Sequence, residues 1–154
     1  MTNKSESIIK NWENEQAKKV NTRIVLNRIK TPDGTILTSR HVHDYVTYTD
    51  KNGLEYMVDG GLDYLRRNMH NVHPFEELSV TTEAPFEIVR ESFEWGTYGK
   101  NGDQPLTWIP LSTMTEEHLN AIIDKRMSVQ WVRDLMNQEL QYRKQNSIIV
   151  KDEQ

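Results

Sequence analysis

Short β-rich runs separated by turn residues fill the stretch from residue 20 to 60, while helical spacing marks both ends of the chain. Residues 4–19 are polar, and Ile8, Ile9 and Trp12 lie three to four apart. This spacing predicts a short helix with one narrow apolar stripe, docked on the domain or on a partner. From Val20 the pattern changes. Asn21 to Ile29 predicts a first strand, Ile36 to Ser39 a second, Tyr45 to Thr49 a third and Leu54 to Val58 a fourth. Thr31-Pro32-Asp33-Gly34-Thr35 and Asp50-Lys51-Asn52-Gly53 separate them. Pro presets φ near -65° and Gly accepts positive φ, so each segment predicts a tight turn between antiparallel strands.

Residues 62–75 fit a short helix or irregular structure equally well, and Glu77 to Thr82 predicts a fifth strand. Pro85 suits a first helical position, opening a helix with Phe86, Val89, Arg90 and Phe93 at near-helical spacing and a stop at Gly96. A Gly-rich loop over 96–105 leads to a short β segment at Leu106 to Ile109. Thr115 is placed to cap a helix running to Lys125, with Glu116 and Glu117 in its first turn and Leu119, Ile122 and Ile123 on its buried side. Ser128 is placed to cap a last helix, striped by Val129, Val132, Leu135, Met136 and Leu140. That stripe serves the core, or an interface if the protein is a homo-oligomer.

The expected fold is α+β: an antiparallel sheet of four to six strands, a meander of hairpins, with helices packed on one face. An N-terminal helical segment (1–19) precedes a single domain (20–144) and a C-terminal tail (145–154). At 154 residues the chain is long enough to bury a core. It has no cysteine, which excludes disulfides, thiolate metal sites and a Cys nucleophile, and suits a reducing cytosol. Its apolar runs are too short to span a bilayer, and the acidic, polar first 20 residues predict no signal peptide. The net charge of -4 argues against general nucleic-acid binding.

Candidate chemistry concentrates in three places. His41 and His43 at i, i+2 would share one face of a strand. With Asp44, and with Asp50, Asp59, His70 or His73 to complete a shell, they outline a metal site. A metal-dependent hydrolase centred on them is the alternative functional reading. Asp59-Gly60-Gly61 allows close backbone approach, and Arg66 and Arg67 just beyond it suit a phosphate or carboxylate. Trp95-Gly96-Thr97-Tyr98-Gly99-Lys100-Asn101-Gly102 offers two aromatic faces and a charge on a Gly-rich loop. It is neither a Walker loop nor a dinucleotide fingerprint, because neither the spacing nor the flanking elements fit. Arg40, His43, Arg66, Arg67, Trp95, Tyr98 and Lys100 are therefore the candidate ligand-binding residues. No nucleophile elbow or assignable acid–base pair appears, and no cofactor is expected.

Four strings together carry a family resemblance: residues 31–35, Ser39 to Tyr45, Val58 to Arg67, and Trp95 to Gly102. Over roughly residues 20–143 the chain resembles a family of small, uncharacterised tailed-bacteriophage proteins. The resemblance implies an accessory protein made in the host bacterial cytoplasm. It implies a non-catalytic binder of a host protein or of a small nucleotide signal, acting against host defence, and it supplies no catalytic residues.

Overall fold

The computed structural model describes residues 3–68 and 75–151. Its internal contacts divide the chain into two compact units, Met1–Pro85 and Phe86–Gln154. The described residues form four α-helices and ten short strands, all paired antiparallel, so the class is α+β. The strands are distributed over four sheets of two or three strands, where one sheet of four to six was expected.

The N-terminal unit opens with α1 (Asn3–Asn21). Its predicted stripe stays in solvent: Ile8, Ile9 and Trp12 are 61%, 48% and 61% exposed. The first two predicted turns each close a hairpin. β2 (Arg28–Lys30) pairs with β3 (Ile36–Thr38) across a turn in which Gly34 has φ 91°. β4 (Val46–Thr49) pairs with β5 (Glu55–Asp59) across a turn in which Gly53 has φ 79°. In the second turn the Asp50 carboxylate accepts from the backbone N–H groups of Asn52 and Leu54, both at 2.9 Å. Ile29, Leu37, Tyr56 and Val58 form the buried cluster between these hairpins, with Val46, Tyr48, Leu54 and Phe75 packed against it. Full burial of side chains such as Ile29, Leu37 and Val58 contributes about 1.5–3 kcal/mol each.

The predicted first strand is broken at Asn27. β1 (Ile24–Leu26) lies before the break and pairs with β8 (Val80–Thr81), while β2 pairs with β7 (Glu76–Glu77). The same break therefore splits the predicted fifth strand. At the break stands the Asn27 side chain, which is fully buried. Asn27 Nδ2 donates to the carbonyls of Asp59 and Gly61 at 2.9 Å and of Tyr64 at 3.3 Å. β6 (Arg66–Arg67) follows on the far side of β5. Residues 69–74, the rest of the ambiguous stretch, lie outside the described residues.

In the C-terminal unit, α2 (Phe86–Ser92) ends four residues short of the predicted stop. Glu94–Thr97 forms β9 instead and pairs with β10 (Thr107–Pro110), in register Trp95 with Ile109 and Gly96 with Trp108. The missing side chain of Gly96 explains the fit. A Cβ there would lie 3.0 Å from the Trp108 ring, which covers that position. A 3-10 turn (Leu111–Thr113) then leads to α3 (Glu116–Asp124). Thr115 caps α3 as predicted, its hydroxyl accepting from His118 N at 3.1 Å. α4 (Gln130–Gln145) starts one residue later than the predicted Ser128 cap, with Val129 at the cap and no side-chain hydrogen bond. Val132, Leu135 and Met136 are buried as the stripe predicts, Leu140 is half-buried, and Val129 is exposed. The predicted tail begins inside α4, at Gln145.

No helix among the described residues is long and apolar enough to cross a membrane.

Candidate functional site

The His41–Gly61 region is a packed backbone knot. His41 and His43 sit in a turn, not a strand, so they lose the shared face that a strand would give them. Asp44 closes that turn: its N–H donates to His41 O at 2.8 Å, and its carboxylate accepts from Arg40 N at 2.7 Å. Ser39 Oγ donates to Asp44 O at 2.6 Å and accepts from Gly61 N at 2.9 Å. Gly60 and Gly61 are buried with φ 99° and 54°. A Cβ on Gly61 would lie 2.2 Å from the His41 carbonyl carbon. The two glycines are thus required by their neighbours in the knot. Among the described residues no three His, Asp or Glu side chains converge as a ligand set for a metal ion. His70 and His73 lie outside the described residues.

Arg66 and Arg67 each meet a carboxylate in the same unit. Arg66 Nη1 lies 3.4 Å from Asp59 Oδ2. Arg67 makes a two-point pair with Glu77, at 3.0 and 2.7 Å, and also donates to Ser79 Oγ at 3.1 Å. Burial pushes the Glu77 carboxyl up, but the hydrogen bonds from Arg67 and Ser79 outweigh it and hold the group below its ordinary value. Arg67 therefore ties β6 to β7, while the Arg66 side chain, 62% exposed, keeps most of its surface in water.

The C-terminal unit holds the other candidates. The two faces of the β9–β10 hairpin differ. Trp108 and Leu106 lie over Gly96 on one face and remain exposed. Trp95, Thr97 and Ile109 alternate onto the other, as the register requires. Against that second face stands the start of α3, and between them lies a cavity of about 380 Å³. Lys100, Thr115, Glu117 and His118 provide its polar walls, and Met114 and Ala121 part of its apolar wall. Trp95 packs edge-on against His118, ring centres 6.4 Å apart, so it positions the imidazole and is not itself part of the lining. Tyr98 is 56% exposed, between the lining residues Thr97 and Gly99.

The loop that carries Lys100 is held by its own hydrogen bonds. Gly99 N donates to Thr97 Oγ1 at 3.1 Å, Gly102 N to Gly99 O at 3.1 Å, and Gln104 N to Tyr98 O at 2.8 Å. Gly99 and Gly102 have φ 85° and 70°, which explains the glycine spacing. Electrostatically the cavity is two-signed. Lys100 and the N-terminal end of α3 favour an anion, while Glu117 favours a donor.

Of the seven predicted ligand residues, Arg40, His43, Arg66 and Arg67 belong to the N-terminal unit, and Trp95, Tyr98 and Lys100 to the C-terminal unit. Thr115, Glu117, His118 and Ala121 were not among them. The Thr115 cap was the one signal that placed the start of α3, and nothing local indicated that the hairpin would pack against it.

The chain matches no protein-family model, no curated protein and no solved structure.

Proposed function

We propose that this protein binds a small nucleotide without transforming it, in the cavity between the β9–β10 hairpin and α3. The observation that carries the reading is the cavity itself. At about 380 Å³ it falls within the ~300–1,000 Å³ range of small-molecule sites, and it joins Lys100 of the Gly-rich loop to the α3 N-terminus. Lys100 and the helix end suit a phosphate, and Tyr98, exposed between the lining residues Thr97 and Gly99, suits a base. The resemblance to tailed-bacteriophage proteins supports a role in the host cytoplasm, where withholding a nucleotide signal would counter host defence.

A second reading, binding of a host protein, draws on the exposed outer face of the hairpin, where Leu106 and Trp108 are 45% and 37% exposed. The metal-hydrolase reading draws on His41, His43 and Asp44, and among the described residues no three His, Asp or Glu side chains converge as a ligand set.

Calorimetric titration of the purified protein with linear and cyclic nucleotides tests the proposal. A saturable heat is expected with at least one of them. Lys100→Ala should weaken binding by about 1.5–3 kcal/mol, the range of a charge-assisted hydrogen bond. Tyr98→Ala should weaken it by about 1–3 kcal/mol, the stacking range. Absence of heat and of thermal shift with every nucleotide would reject nucleotide binding.

A further inference from the structure

We infer that Asn101 is a site of spontaneous deamidation, and that the folded chain leaves it open to this reaction while shielding Asn52. The tripeptide Lys-Asn-Gly occurs twice, at residues 51–53 and 100–102. In both copies the glycine lacks the side chain that would hinder attack by its backbone nitrogen. In both the glycine closes a turn, Gly53 N donating to Asp50 O at 3.0 Å and Gly102 N to Gly99 O at 3.1 Å. Asn52, Gly53, Asn101 and Gly102 are all exposed. What separates the two copies is therefore the structure around each turn, not the tripeptide.

In the reaction the glycine nitrogen attacks the carbonyl carbon of the Asn side chain. The new N–C bond closes a succinimide ring, the bond to the side-chain nitrogen breaks, and ammonia leaves with the proton of the glycine N–H. Water then opens either ring carbonyl, giving aspartate or isoaspartate. To reach the ring, the Asn–Gly peptide plane must rotate, which breaks the glycine's turn hydrogen bond and shifts the residue that follows. After Gly53 that residue is Leu54, whose N–H donates to Asp50 Oδ1 and whose carbonyl accepts from Asp50 N, both at 2.9 Å. The Leu54 side chain also packs against the buried cluster of Ile29 and Val58. Asp50 Oδ1 accepts in addition from Asn52 N at 2.9 Å. After Gly102 the residue is the exposed Asp103. No backbone–backbone hydrogen bond among the described residues reaches Asn101 or Asp103, and the next anchor is Gln104 N to Tyr98 O at 2.8 Å. Exposed backbone hydrogen bonds with little packing behind them open first, so the Asn101 turn yields before the Asn52 turn. The product places a new negative charge on the loop whose Gly99 and Lys100 line the cavity.

The test is peptide mapping by mass spectrometry of the full chain aged in mildly alkaline buffer, folded and, in parallel, unfolded in urea. In urea the two sites should convert at similar rates, because the tripeptide is the same. In the folded chain Asn101 is expected to convert roughly tenfold faster than Asn52, as for one or two extra turn hydrogen bonds that must open at Asn52. A mixture of aspartate and isoaspartate at Asn101 marks the succinimide route. Asp50→Ala should raise the Asn52 rate toward that of Asn101 and leave Asn101 unchanged. If that variant folds poorly, the wild-type ratio of the two sites, folded against unfolded, still decides. A folded ratio equal to the urea ratio, faster conversion at Asn52, or no conversion at Asn101 in the folded chain would overturn the inference.

Discussion

Arg90 of α2 and Glu139 of α4 make a two-point ion pair inside the C-terminal unit: Arg90 Nε and Nη2 donate to the two carboxylate oxygens at 2.7 and 2.8 Å. Glu139 is fully buried and also accepts from Arg143 Nε, one turn later, at 2.7 Å. Arg143 Nη2 reaches the carbonyls of Leu111 and Ser112 at 3.1 and 3.3 Å. The Arg90 guanidinium lies 4.6 Å from the Tyr142 ring centre. The hydrogen bonds that Arg90 gives to Glu139 raise the Arg90 guanidinium above its ordinary value despite partial burial, so Arg90 stays charged. One carboxylate thus holds α2, α4 and the 3-10 turn ahead of α3 in place.

Glu139→Ala should destabilise the protein by about 3–5 kcal/mol, because it leaves two guanidinium groups with no buried counter-charge. Glu91, the exposed partner of Arg90 at 3.4 Å, provides the control. Glu91→Ala should cost less than about 1 kcal/mol, as for a solvent-screened pair. Urea denaturation of both variants measures the difference, and similar losses would contradict a buried-pair role.

Gly61 and Gly53 separate two costs of adding a side chain. Both have positive φ, but a Cβ on Gly53 meets nothing within 4 Å, while one on Gly61 would lie 2.2 Å from His41 backbone. Gly53→Ala should therefore cost only the conformational strain, about 1–3 kcal/mol. Gly61→Ala adds a backbone collision and should cost clearly more in the same denaturation assay. Equal costs would mean that the Ser39–Gly61 knot yields easily.

The hairpins were legible in the sequence because their signals are local. Gly34 and Gly53 sit where a tight turn needs positive φ, and the strands on either side pair as their turns dictate. What escaped notice depends on distant partners. Asn27 reads as one more residue of a strand until Asp59, Gly61 and Tyr64 present three carbonyls to its side chain. His41-Val42-His43 alternates like a strand, and the Asp44 bond to Arg40 N folds it into a turn. Glu139 and Arg143 drew no reading from the sequence, because their ion pair becomes a buried one only where Arg90 of another helix meets Glu139. Part of the candidate site was legible for the same reason: Lys100 and Tyr98 stood out on their own loop. Its other wall depends on how β9–β10 meets α3, which no local pattern encodes.

The Arg67–Glu77 pair should show in the acid limb of stability. The folded Glu77 carboxyl sits below its ordinary value of 4.5, so the stabilisation is present above that pH and is lost as pH falls through the folded value. Arg67→Met removes the guanidinium bonds, so the variant should lose less stability on acidification than wild type does. The effect should be small, because the Glu77 side chain is 43% exposed and solvent screens it. Asp33, held low by hydrogen bonds from Thr31, Tyr48 and Thr35, acts with the same sign in both proteins and cancels in the comparison. Melting temperatures between about pH 6 and pH 3 provide the measurement, and parallel curves would contradict the pairing.

Amide chemical-shift mapping during titration with linear and cyclic nucleotides tests the central claim most directly. Saturable shifts are expected around the cavity, at Thr97, Gly99, Lys100, Thr115, Glu117 and His118. Arg40, His43 and Arg66 should stay unmoved. Saturable shifts centred on those three residues, or no shifts with any nucleotide, would contradict the claim that the cavity between the β9–β10 hairpin and α3 is the binding site.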